Sequence, residues 1–142
     1  MKNSINSNKI IVCLKLLLAA LLFVILIPTK TGAEAADVII AVSPSYWADV
    51  PGQFKAFIDR CTPWCNTHEP HARLQAGKKG YAVALRTGPG MKECERVISS
   101  IEHFYGHLEI GCRGHLGLCS VEYREDVEAR GAEIEDFCRM II

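Results

Sequence analysis

The sequence predicts an α/β domain built on a parallel sheet, and three observations carry that prediction. Short runs of apolar residues alternate with stretches whose apolar residues recur at helical spacing. Each apolar run is followed by a loop before the next helical pattern begins. The order strand, loop, helix then repeats three times, which requires parallel strands with right-handed crossovers and helices on the faces of the sheet. A chain of 142 residues has room for one domain of this kind.

The first unit is Asp37–Arg60. Val38, Ile39, Ile40 and Val42 are apolar on both faces of a strand over Asp37–Ser43, the pattern of a strand covered by two layers. Pro51 suits a first helical turn. After it, Phe54, Phe57 and Ile58 fall at i, i+3, i+4, with Lys55 and Asp59 paired on another face. The loop between them, Pro44-Ser-Tyr-Trp-Ala-Asp-Val50, leaves the carboxyl end of a strand, where open α/β sheets bind ligands. Tyr46 and Trp47 are adjacent, so one of them at least is free of the core and available to a ligand or an interface.

Cys61–Lys79 reads as a polar loop with Pro63, Pro70 and Gly77. Gly80–Arg86 is a second short apolar strand, followed by the glycine loop Thr87-Gly88-Pro89-Gly90. Glycine backbone approaches a ligand closely and presents N–H groups to it, although such loops are more often plain turns. Lys92–Leu108 places Val97, Ile98, Ile101, Phe104, Tyr105 and Leu108 on one helical face. Glu109–His115 is a weaker third strand. It leads through Gly117 into a closing helix over Val121–Ile142, marked by Val127, Ile134, Phe137, Cys138 and Ile141.

Ahead of these units lies a segment of another character. Ile10–Ile27 is apolar except for Lys15, long enough for a membrane anchor or the apolar region of a signal peptide. Ala33-Glu34-Ala35 supplies an A-x-A-like cleavage pattern before Ala36. The expected division is therefore an N-terminal hydrophobic segment over 1–33 and a globular domain over 34–142. That domain is of cytoplasmic type, with membrane contact through Ile10–Ile27 and export both left open. Sixteen basic residues balance sixteen acidic ones, but Lys2, Lys9, Lys15 and Lys30 all fall in 1–33, which holds no acid. The rest carries twelve basic against sixteen acidic residues, a balance that argues against a nucleic-acid partner.

Seven cysteines in no evident disulfide ladder read as mainly reduced thiols. Cys61, Cys65, His68 and His71 form one metal-like set, and Cys112, His115 and Cys119 a second, but neither spacing matches a known zinc or iron–sulfur pattern, and no metal site is assigned. His103 and His107 at i, i+4 share a solvated helix face. No residue stands out as a nucleophile or as half of an acid–base pair.

The run ADVIIAVSPSYWADVPGQFKAFIDR resembles the middle of the NADPH-dependent FMN reductase family, whose members have a flavodoxin-like fold. The resemblance continues through Gly77-Lys-Lys-Gly80 and Thr87–Gly90 to the final helices, over about Glu34–Ile142. It implies a three-layer sandwich and an enzyme that transfers hydride from NAD(P)H to FMN and on to an acceptor that the sequence does not identify. It also implies a homodimer with the flavin near the subunit interface. By the resemblance, Pro44, Ser45, Tyr46, Trp47, Ala48, Asp49 and Val50 flank the flavin ring and ribityl chain, and Thr87, Gly88 and Gly90 approach its other side. The cofactor carries the hard chemical step in such enzymes, so no catalytic side chain is expected. The family's first strand ends in a Ser/Thr-rich loop that cradles the phosphate. Asn8–Cys13 faintly resembles that strand, but Leu14–Ile27 is apolar where the loop and first helix belong. The first βαβ unit is thus expected to be missing or replaced, with weakened FMN binding. The competing reading is a truncated, cofactor-free remnant, membrane-tethered or acting only by association.

Overall fold

The structure is a computed structural model and describes residues 30–67 and 69–141. The element order is α1 (Lys30–Ala35), β1 (Val38–Pro44), α2 (Gly52–Arg60), a 3-10 turn at Thr62–Trp64, β2 (Lys79–Leu85), α3 (Met91–His107), β3 (Gly111–Leu118), α4 (Arg124–Ala129) and α5 (Gly131–Ile141). The described strands form one parallel sheet in the order β1-β2-β3. The first two strands and the helices α2 and α3 begin and end within about a residue of the expected bounds.

Side-chain alternation sends each strand's residues into two separate cores. On one face Ile39, Ala41, Ala82 and Ala84 meet Val97, Ile98, Ile101, Phe104 and Tyr105 of α3, with Phe54, Phe57 and Ile58 of α2 alongside. Small alanines on the central strand let α3 lie close, and Phe57 meets Phe104 edge-on at 6.1 Å. On the other face Tyr81, Val83, Leu85, Leu116 and Leu118 meet Val127, Ile134, Phe137 and Cys138 of α4 and α5. The three-layer sandwich is therefore present.

Three expectations change. The central strand β2 is the buried one, whereas β1 stays half-buried along most of its length. The third strand starts later and runs further than expected. Glu109, at φ 58°, and Ile110 finish the helix instead: the Glu109 N–H donates to Gly106 O and the Ile110 N–H to Tyr105 O, a left-handed cap without the usual glycine. Gly117, expected in the turn, lies inside β3 because helices crowd the strand; a Cβ there would stand 2.8 Å from Met91 Sδ. The closing helix is two helices, broken at Arg130–Gly131, with α4 ending on a C-cap at Arg130.

The membrane or signal reading of Ile10–Ile27, and the faint first strand at Asn8–Cys13, lie outside the described residues. Among the described residues no helix is long and apolar enough to cross a membrane.

Candidate functional site

In a parallel sheet in register, all strands end together. Pro44 of β1 stands opposite Leu85 of β2, and Leu85 opposite Leu118 of β3, so three loops leave one edge side by side. Two of them are the loops singled out in the sequence, and they leave neighbouring strand ends.

The first loop is a tight two-residue turn. Tyr46 and Asp49 exchange both backbone hydrogen bonds, at 3.0 and 3.1 Å, across Trp47 and Ala48. Both central residues have positive φ, 56° and 63°, the signature of a type I′ turn. Such turns favour Asn-Gly, because a Cβ in the left-handed region costs roughly 1–2 kcal/mol per residue. An indole and a methyl group held there mark backbone strain of the kind found at binding sites. The result is that Trp47 is 100% exposed and Tyr46 42%. Around them, Asp49 Oδ1 accepts the Val50 N–H at 2.7 Å, Val50 is buried, and Pro44 still belongs to β1.

The second loop hangs on a residue that the sequence reading passed over. Arg86 folds back under it: Nη1 donates to Gly90 O at 2.7 Å, and Nη2 lies 3.2 Å from Glu93 Oε1. A Cβ on Gly88 would come 2.4 Å from Arg86 Nη2, so a side chain there would push the guanidinium from its place beneath the loop. Glu93, in the first turn of α3, also accepts from Ser45 Oγ at 3.3 Å. Glu93 thus ties the aromatic turn to the glycine loop through Ser45 and Arg86. The third loop joins as well, since the Ser120 N–H donates to Gly88 O at 3.0 Å. Arg86 and Glu93 were legible only as an Arg before a glycine loop and an acid in a first helical turn, both common patterns.

Among the described residues neither metal-like set is brought together. Cys61 is buried, His68 lies outside the described residues, and no group of three or more His, Cys, Asp and Glu among the described residues is placed to hold a metal. Cys112 and His115 both reach Glu102, while Cys119 sits at the opposite end of β3 under the glycine loop. His103 and His107 do share a face, Nε2 to Nε2 at 3.1 Å, on the wall of a cleft of about 360 Å³ between α2 and α3. The cleft also reaches Asp49 and Val50, but most of its lining belongs to the two helices.

Residues 28–115, well over half of the chain, match the model of the NADPH-dependent FMN reductase family. The chain belongs to that family. No curated protein matches it in sequence. Among solved structures, this reductase-family chain is similar to the general stress protein 14 of Treponema denticola in complex with FMN, at TM-score 0.61 and 15% identity, over 78% of this chain and 69% of that one. It is similar to the Trp repressor binding protein of Bacillus subtilis, at TM-score 0.59 and 22% identity, over 75% and 64%. A putative quinone reductase of Klebsiella pneumoniae gives TM-score 0.57 and 16% identity, over 78% and 52%. The chain thus spans about half to two thirds of the length of these relatives. At these identities the likeness shows the shared fold, and it agrees with the flavodoxin-like architecture expected from the sequence.

Proposed function

We propose that this reductase-family chain is an NAD(P)H-dependent FMN oxidoreductase, with the flavin ring held in the crevice between Ser45–Val50 and Thr87–Gly90. The observation that carries the reading is the strained turn that sets Trp47 fully into solvent beside a glycine loop at the carboxyl edge of the sheet. An exposed indole and glycine backbone fit a flat aromatic group, one by stacking and the other by close approach and N–H donation. The stretch where the family's phosphate loop would belong, within residues 1–29, is apolar over Leu14–Ile27 and lies outside the described residues, so weakened FMN binding is expected.

FMN, when bound, supplies the ring that accepts hydride from a nicotinamide. The chain's own contribution is placement. Tyr46 and Trp47 cover the ring and exclude water; Thr87, Gly88 and Gly90 offer main-chain donors to its polar edge. Arg86 and Glu93 keep the two loops in register with one another. The reading needs no acid–base side chain in the crevice.

Titration of FMN with the purified full chain tests it. Flavin fluorescence should be quenched on binding, and NADPH should be oxidised only when FMN is present. Trp47→Ala should weaken binding roughly three- to tenfold, the worth of an aromatic stacking contact. Unquenched fluorescence at high FMN concentration would overturn the proposal.

A further inference from the structure

Three sulfur atoms converge beneath the glycine loop. Met91 and Cys94 lie three residues apart in the first turn of α3, so their side chains leave the same face. Cys119, just past β3, meets both: its Sγ lies 3.9 Å from Cys94 Sγ and 3.8 Å from Met91 Sδ. The floor is Gly117, where a Cβ would stand 2.8 Å from Met91 Sδ and 3.3 Å from Cys94 Cβ. A side chain there would displace the thioether. Cys94 and Cys119 are buried while Met91 is 42% exposed, so the cluster opens to solvent on the thioether side.

The spacing suits a shared centre. Metal–thiolate bonds are about 2.3 Å long, which puts three sulfurs around one planar three-coordinate ion roughly 4.0 Å apart. The two edges of 3.8 and 3.9 Å meet that condition. Two thiols and a thioether form a soft donor set, which selects monovalent copper over the hard cations that oxygen ligands hold.

We propose that Met91, Cys94 and Cys119 form a three-coordinate site for a soft monovalent cation, Cu(I), beneath the glycine loop. Binding changes no oxidation state. The two thiols release their protons to solvent, two Cys–S–metal bonds and one Met–S–metal bond form, and the centre carries one net negative charge. Arg86 acts on Cys94 and Arg130 on Cys119, with Arg130 Nη1 3.2 Å from Cys119 O, so cationic groups offset that charge while Glu93 opposes them.

The test uses the full chain carrying Cys65→Ser and Cys112→Ser, which removes the two most accessible of the described thiols. After reduction it is titrated anaerobically with Cu(I) against a chromophoric Cu(I) chelator. One equivalent should be retained, and copper K-edge absorption should show three sulfur neighbours. Cys119→Ala should abolish retention. Met91→Leu, at a partly exposed position that tolerates exchange, should weaken it by about tenfold or more and leave two sulfurs. Circular dichroism confirms that each variant is folded. Retention unchanged in both variants, no retained equivalent in the parent, or two sulfurs in the parent spectrum would each overturn the proposal.

Discussion

Arg86 shows how a single side chain sets the shape of a loop. Its guanidinium holds Gly90 O, pairs with Glu93 and fills the space a side chain at Gly88 would take. Arg86→Ala should therefore cost about 1–2 kcal/mol, the worth of hydrogen bonds from a charged donor, read as a lower midpoint in urea. If the crevice binds FMN, the same variant should weaken that binding by about tenfold, because the glycine loop loses its support. Thiol chemistry separates the cysteines just as sharply. Hydrogen bonds from Thr67 hold the Cys65 thiol below its ordinary pKa, whereas burial pushes Cys61 up to about 11 and raises Cys112. Iodoacetamide at mildly alkaline pH should label Cys65 first among the described cysteines, with peptide mapping as the readout.

At the scale of elements, the tight turn and the packed strand carry opposite demands. The Tyr46–Asp49 turn holds Trp47 and Ala48 in the left-handed region. Replacing them with Asn and Gly should stabilise the fold by about 1 kcal/mol or more, seen as a higher melting temperature, and should weaken FMN binding at the same time. In β2 the reverse applies. A Cβ on Gly80 would stand 2.7 Å from the Tyr105 ring, whose hydroxyl donates to Tyr81 O at 3.0 Å, so Gly80→Ala should cost about 1–3 kcal/mol in chemical denaturation. These two cases explain which elements could be read from the sequence. Apolar periodicity marked β1, β2, α2 and α3, since their patterns reflect faces buried against a core. It misplaced the ends of β3, because Glu109 and Ile110 close the helix without a glycine, and because Gly117 resembles a turn residue and serves here as a packing site. The turn at Tyr46–Asp49 was legible as an aromatic loop but not as a type I′ turn, since neither Trp nor Ala signals positive φ. Glu93 escaped notice because its tie to Ser45, 48 positions away, leaves no local pattern, and Arg86 because a contact within an irregular loop has no periodicity to mark it.

For the molecule as a whole, stability should fall at both ends of the pH range. Backbone N–H groups of Tyr123 and Glu122 hold Asp126 below its ordinary 3.8, and the Arg130 guanidinium holds Glu133 below 4.5. Depressed carboxylates lend stability above their unfolded values, and that stability is lost as pH falls through the folded ones. Asp126→Asn keeps the acceptor and removes the charge, so part of the acid limb should flatten in melts recorded between pH 2 and 5. The raised thiols of Cys61 and Cys94 act in the opposite sense. Their contribution is full below 9.0 and disappears as pH climbs towards 11 and 12. One further contact orients the molecule. Buried Lys78 donates from Nζ to Glu34 O at 2.8 Å and Ala36 O at 2.5 Å, clasping the chain where it enters β1 to the start of β2. That clasp lies a full strand length, about 23 Å for seven residues, from the edge where Trp47 stands. The chain therefore enters the domain at the end of β1 away from Trp47, and a label fixed at Glu34 or Ala36 would sit at that far end.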